Sequence, residues 1–383
     1  MEIIIIAFEF PPYKGGIANY SYTMAKYYAV KGLGVSVFTL NPDATSSSFY
    51  TLHKPFSRGS LDQPVILRKL ISAGYICYQY LFLYRFLFRI VRADRPRVIL
   101  TSLFHNVSWN TISFLKFFGI KYELVLHGLD IYEIDRKKPV KFRNVIKSSS
   151  RLIVNSKNTK RILLEKVPDS LEPSIFYPLL DTSLIDGLIK INDDDLFKSL
   201  GIKKDKKIIL TVGRLVKRKG IDIAIKGLKN FLKSQPDWIY LIAGDGEEKE
   251  SLVSLVNEDP TLQQKIKFLG RIPDSDKYSL LVRSSVFITI NSIVHDEDVE
   301  GFGISFIEAS YTKNWVIGGN NGGVIESVNT KLNGFLIDVE NEPEKQIHDV
   351  MEKIADDYYS EQRLNDGKEY VIDHYSLKKF SGG

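Results

Sequence analysis

The sequence predicts an α/β protein of two doubly wound parallel-sheet domains facing each other across a central cleft. Three observations carry this. Short apolar runs recur at strand length, each followed by apolar residues at helical spacing, the alternation that builds a parallel sheet with helices on both faces. The runs fall into two sets. Between them, the stretch 181–195 is rich in Asp, Asn, Ser and Gly, the composition of a connection.

In order, the first set is Ile3 to Phe8, Val35 to Leu40, Val98 to Thr101, Glu123 to Leu126 and Leu152 to Asn155. The second is Ile208 to Val212, Ile239 to Ala243, Lys267 to Leu269, Val286 to Ile290 and Trp315 to Ile317. Runs this continuous suit strands buried on both faces. The expected domains are 1–180 and 181–369, with a C-terminal helix from about 370 to 383 packing back onto the first. With 383 residues, 44% of them apolar, the chain can build two cores, and disorder, collagen and a small disulfide scaffold are excluded. The segment Met1 to Phe8 starts with an acid at Glu2, holds a short apolar run and meets another acid at Glu9; it reads as a first strand, not an export signal. Ile71 to Tyr84 is too short to span a bilayer. A single cysteine, Cys77, excludes an intramolecular disulfide and a cysteine metal cluster, and its neighbours Tyr75, Ile76 and Tyr78 read as ordinary packing and not as a catalytic setting. The expectation is a cytoplasmic chain, soluble or peripheral on the inner face of a membrane.

The net charge of +6 divides unevenly. Residues 1–180 carry 25 Lys and Arg against 12 Asp and Glu, a balance of +13, and residues 181–383 carry 27 against 34, a balance of −7. An anionic partner is therefore expected at the first half. No nucleic-acid-binding motif accompanies the charge.

Ligands of doubly wound sheets sit beyond the carboxyl ends of the strands, and four loops there carry chemistry. Gly15 and Gly16 follow the first strand and open a helix, where backbone N–H groups can approach an anion; a plain strand-to-helix turn reads the same. Gly213-Arg214-Leu215-Val216-Lys217-Arg218-Lys219-Gly220 places four cations within six positions, which repel one another unless an anion sits among them. Arg214 and Lys219 could converge on a diphosphate; the alternative is a solvated basic loop. Asp298-Val299-Glu300-Gly301-Phe302-Gly303-Ile304 leads into a helix entrance with unpaired N–H donors, and Glu308 follows about one turn further in. Glu300 alone could be a charge favoured by the helix dipole, but Glu308 lies among apolar residues where a lone charge is costly. Finally, a strand ends in His127-Gly128, a histidine able to donate or accept near neutral pH.

Together these stretches resemble glycosyltransferase family 4, retaining enzymes of the GT-B fold with two Rossmann-like domains. Glu300 and Glu308 match its pair of glutamates separated by seven residues. Gly213, Arg214, Lys219 and Gly220 match its phosphate loop, Gly15 and Gly16 its glycine-rich first loop, and His127 with Gly128 its His-Gly element. Asn320 to Glu326 and Asn333-Gly334-Phe335 look like its closing elements. The resemblance implies a hexosyltransferase acting on a nucleotide-diphosphate sugar, GDP-mannose-like or UDP-linked, with a glycan or lipid-linked acceptor in cell-surface polysaccharide or glycolipid synthesis. Residues 1–180 would receive the acceptor and 181–369 the donor. Arg214 and Lys219 would hold the diphosphate and Glu308 the ribose. Glu300 and the N–H groups of Phe302, Gly303 and Ile304 would hold the sugar, with Ile272 near the base, His127 by the sugar, and Gly15, Gly16 and Gly213 near the phosphates. The catalytic set is His127, Glu300, Arg214 and Lys219, with no cofactor or metal.

Two features depart from the family. Asp193/Asp195, Asp274/Asp276 and Asp296/Asp298 spell the short motif of metal-dependent transferases and read as solvated charge, and Tyr177 to Asp181 replaces the usual Asn-Gly turn. A sugar-nucleotide epimerase or phosphorylase of the same fold, or a non-catalytic sugar-nucleotide-binding protein, are the alternatives. From Tyr75 to Ile90 aromatic and apolar residues interleave with Arg85 and Arg89, and Arg92, Arg95 and Arg97 follow. The part up to Leu83 reads as core, and Arg85, Arg89 and Arg92 as a surface facing anionic lipid or a lipid-linked acceptor.

Overall fold

The computed structural model describes residues 2–13, 15–41, 43–44, 47–54, 65–93, 96–189, 194–292, 299–357 and 360–380, and for residues 65–76 and 194 the backbone alone. Lys14, Arg95, Asp193, Asp296 and Asp298 lie outside the described residues. The chain divides into two compact units, Met1–Leu179 with Phe380–Gly383, and Leu180–Lys379.

In the first unit β1 (Glu2–Ile6), β2 (Gly34–Phe38), β3 (Thr51–His53), β4 (Arg97–Leu100), β5 (Tyr122–Leu126), β6 (Arg151–Val154) and β7 (Ser174–Ile175) form one sheet in the order β3-β2-β1-β4-β5-β6-β7. Every pairing is parallel. The second unit holds β8 (Lys207–Val212), β9 (Trp238–Ala243), β10 (Ile266–Gly270), β11 (Val286–Thr289), β12 (Trp315–Gly319) and β13 (Gly334–Ile337), in the order β10-β9-β8-β11-β12-β13, again all parallel. Each is the doubly wound order, which reverses direction beside its first strand. The crevices where chains on such sheets take ligands therefore lie beyond the ends of β1 and β4, and of β8 and β11.

The ten expected strands all form. The three that the apolar runs do not announce, β3, β7 and β13, are edge strands with a neighbour on one side only, where continuous apolarity is not required. Interior strands are apolar because both faces are covered: Ile3 and Ile5 of β1 pack with Met24 and Tyr28 of the Gly16–Val30 helix, and Ile4 and Ile6 with Phe86 and Ile90 on the other side.

The units divide between Leu179 and Leu180, beside the expected boundary, and two segments differ from expectation. The first part of the polar stretch expected as a connection folds into the Thr182–Leu188 helix, capped by Asp181, whose carboxylate accepts from the Leu184 N–H at 3.2 Å. The last long helix, Gln362–Tyr375, ends before 383 and belongs to the second unit, where it packs on the Ile304–Tyr311 helix; the Phe302 and Tyr375 rings meet at 5.4 Å. Past that helix, Phe380 joins the first unit, its ring 4.9 Å from that of Tyr27.

Candidate active site

The second unit concentrates the charged groups. After β8 the chain forms a short 3-10 turn, Lys217–Lys219, closed by Gly220 at φ 54°. A Cβ at Gly220 would lie 1.9 Å from the Ile290 carbonyl oxygen, so only glycine lets the basic turn press against the end of β11. From there Arg218 and Lys219 both donate to Glu300 Oε2, at 2.5 and 2.7 Å, and Asn291 Nδ2 joins them at 3.0 Å. These residues sit at the β8–β11 switch point.

The anion that the crowded cations require is thus partly the protein's own. Glu300 neutralises two of them, and Lys217 pairs with Asp222 at 2.9 Å. Burial pushes the Glu300 carboxyl up, but Lys219 and Arg218 outweigh it and hold it at about 2. Burial lowers the pKa of Lys219, Arg218 and Arg214 lower it further, and Glu300 opposes them. Arg214 is exposed. Sequence reasoning missed Arg218 and Asn291 as partners of Glu300; the density of cations was the one signal for Arg218.

Three residues beyond Glu300, Gly303 at φ 88° is the N-cap of the Ile304–Tyr311 helix. Phe302 is buried beside it. Glu308 lies one turn in and is buried, its Oε1 accepting from Lys277 Nζ and Tyr278 Oη, both at 2.8 Å. Both partners escaped the sequence reading; they come from the Asp274–Arg283 helix. Burial, then the Glu308 carboxylate, push the Tyr278 phenol up. Ile272, half-buried, follows the end of β10, and Gly213 follows β8. Asn291 Oδ1 and Asn321 Oδ1 are buried without a hydrogen-bond partner.

In the first unit, Gly15 caps the Gly16–Val30 helix and Tyr20, one turn in, sets its ring 4.9 Å edge-on to the His127 imidazole. His127 Nε2 meets the Thr101 carbonyl oxygen at 2.8 Å. A carbonyl only accepts, so Nε2 is the donor in this contact. Asp130, fully buried, fixes the turn: its Oδ1 accepts from the N–H groups of His127 and Gly128 at 2.9 Å each and of Ile131 at 3.1 Å. Its role was not legible from residue type.

Asp274 and Asp276 open a helix, and Asp195 is exposed on the Asp194–Ser199 helix. Among the described residues no group of three His, Cys, Asp or Glu side chains is placed to hold a metal ion. None of the described helices is long and apolar enough to cross a membrane. Cys77 is exposed. Leu81, expected in the core, is 70% exposed, whereas Leu83, Phe86, Leu87 and Ile90 of the same helix are buried.

Two Rossmann-like parallel-sheet domains, one carrying a basic turn against Glu300, define a protein of the GT-B class. The chain belongs to glycosyltransferase family 4. The family model described as Glycosyltransferase Family 4 matches residues 14–183, and that described as Glycosyl transferases group 1 matches 192–369. The α-1,3/1,6-mannosyltransferase ALG2 of Dictyostelium discoideum is 26% identical, the match covering 61% of this chain and 59% of the relative. A GDP-mannose-dependent monoacylated α-(1-6)-phosphatidylinositol monomannoside mannosyltransferase of Corynebacterium glutamicum is 32% identical over 42% of this chain and 41% of its own. The chain thus spans about half the length of the curated relatives it matches. Among solved structures, Anabaena Alr3699/HepE in complex with UDP and glucose superposes with a TM-score of 0.68 at 16% identity, over 100% of this chain and 97% of that one. Sucrose-phosphate synthase of Thermosynechococcus elongatus gives 0.72 at 17% identity, over 100% and 96%. Those two likenesses establish the fold.

Proposed function

We infer that the chain is a retaining, metal-independent hexosyltransferase that moves mannose or a similar hexose from a nucleotide-diphosphate sugar to a lipid-linked or glycan acceptor at the cytoplasmic face of a membrane. The observation that carries this is the Glu300 carboxylate held by Lys219 and Arg218 at the β8–β11 switch point, three residues before the helix start at Gly303. The mannosyltransferase names of the two relatives support the donor type.

As the glycosidic bond breaks, the nucleotide diphosphate gains negative charge and the sugar becomes oxocarbenium-like. Fixed cations at the leaving group stabilise that separation more than the ground state, the condition for catalysis. Lys219 and Arg214 meet the diphosphate, supplying charge that a metal supplies elsewhere. Glu300, kept ionised by its partners, accepts hydroxyls of the sugar through its remaining lone pairs, and Glu308 accepts those of the ribose. In the retaining step the bond from the anomeric carbon to phosphate oxygen breaks. The acceptor oxygen bonds the same face, and its proton passes to the departing phosphate oxygen.

The test is a panel of nucleotide sugars screened by thermal stabilisation, followed by transfer and hydrolysis assays with the best donor. One donor standing out, transferred with retention and in excess chelator, is the expected result. Interconversion of the sugar without an acceptor supports an epimerase instead, dependence on free phosphate a phosphorylase, and binding without turnover a sensor.

A further inference from the structure

We propose that the first unit carries a membrane-docking surface for anionic lipid, built from the outer face of the Val65–Arg92 helix and the end of the Asn106–Phe117 helix. Leu81, Arg85, Phe88 and Arg92 follow one another at spacings of four and three, the repeat of one helix face. Leu83, Phe86, Leu87 and Ile90 face the core, and the outer set is exposed. Phe88 is 48% exposed. It continues onto the second helix, its ring 5.7 Å from that of Phe118 and 5.2 Å from that of Phe114. There Phe117, 84% exposed, stands beside Phe118 between Lys116 and Lys121.

Exposed aromatic rings grouped this way mark an interaction surface, and the charge around them selects the partner. Between Cys77 and Ala93, and between Ser113 and Tyr122, there is no Asp or Glu, whereas Arg85, Arg89, Arg92, Lys116 and Lys121 are present. Apolar side chains that enter an acyl boundary, rimmed by cations that meet phosphates, are the chemistry of an interfacial lipid-binding face. The inference rests on the transferase reading only for its purpose, bringing the chain to a lipid-linked acceptor.

The full chain is sedimented with vesicles of phosphatidylcholine alone and of phosphatidylcholine mixed with phosphatidylglycerol, at low and high salt. Binding to the anionic vesicles is expected. R85Q/R92Q should lower it roughly 30-fold, the product of about five-fold for each cation removed at a surface. F117S/F118S should abolish the binding that survives high salt. Thermal stabilisation of each variant by nucleoside diphosphate serves as the folding control. Equal binding to neutral vesicles, or binding unchanged in both variants, overturns the proposal. So does the absence of vesicle binding alongside a dimer that F117S/F118S dissolves, which assigns the face to a second copy. Failure of sugar transfer to a soluble acceptor analogue would refute the transferase and leave the vesicle result standing.

Discussion

Lys219 Nζ donates to Glu300 Oε2 at 2.7 Å across 81 residues of sequence, joining the loop after β8 to the loop after β11. The contact neutralises Lys219 in the free protein while leaving its other N–H groups for a diphosphate. Lys219→Ala should therefore lower kcat by about 100- to 1,000-fold, the scale of removing one preorganised transition-state donor, and weaken stabilisation by nucleoside diphosphate alone. Steady-state kinetics and thermal shift decide it; full turnover in the variant refutes the role.

Glu300 should act on the sugar and not on the nucleotide. In Glu300→Gln an amide oxygen still accepts one bond, so the loop remains folded, but the charge facing the oxocarbenium-like carbon is lost. Nucleoside diphosphate affinity should hold within a few-fold while kcat falls about a hundredfold. Isothermal titration and turnover measured side by side separate the two, and an equal loss in both would place Glu300 at the diphosphate.

The same pair makes stability depend on pH. The Glu300 carboxyl sits at about 2 against an ordinary 4.5, so the folded state binds that proton more weakly than the unfolded. Its contribution, roughly 3 kcal/mol at neutral pH, is full above 4.5 and drains away as pH falls toward 2. Denaturant unfolding of wild type and Glu300→Gln should show a gap that narrows between pH 5 and pH 3. A gap constant with pH contradicts the pairing.

These interactions explain which features could be read in advance. Strands such as Ile3 to Ile6 are covered on both faces, so burial writes itself into consecutive apolar residues. Thr51–His53 and Gly334–Ile337 sit at sheet edges and leave no such mark. Lys219 and Glu300, which meet at the switch point, and Gly213, Glu308 and His127 stand out in the sequence by residue type and spacing. Arg218, Lys277 and Tyr278 do not, because each meets its glutamate from another element, brought close by the order β10-β9-β8-β11-β12-β13, and Asn291, in the same loop as Glu300, is a neutral residue whose type gave no sign.

Glu308 offers a contrast with Glu300, since its partners Lys277 and Tyr278 both bond Oε1, and the proposed contact with the ribose falls to its second oxygen. Glu308→Ala strands a largely buried lysine and should destabilise by about 3–5 kcal/mol. Glu308→Gln is milder and gives the cleaner test. It should weaken a ribonucleoside diphosphate about tenfold, the worth of one charge-assisted bond, and leave a 2′,3′-dideoxy analogue unaffected. Equal weakening of both analogues would assign Glu308 a purely structural part.

His127 depends on a neighbour with no access to solvent. Asp130 Oδ1 gathers three backbone N–H groups around the His127-Gly128 turn, and burial, opposed by His127 and those bonds, raises its pKa. Asp130→Ala leaves the three donors without an acceptor, a loss of roughly 3 kcal/mol or more, and frees the imidazole that Thr101 and Tyr20 orient. Asp130→Asn keeps a carbonyl oxygen where Oδ1 stands, so most of the stability should return. If the turn acts through His127, kcat should follow the same order, wild type above Asn above Ala, with KM for donor little changed. An Ala variant that is stable and fully active, or an Asn variant no better than Ala, would show that the His127 turn holds without this carboxylate.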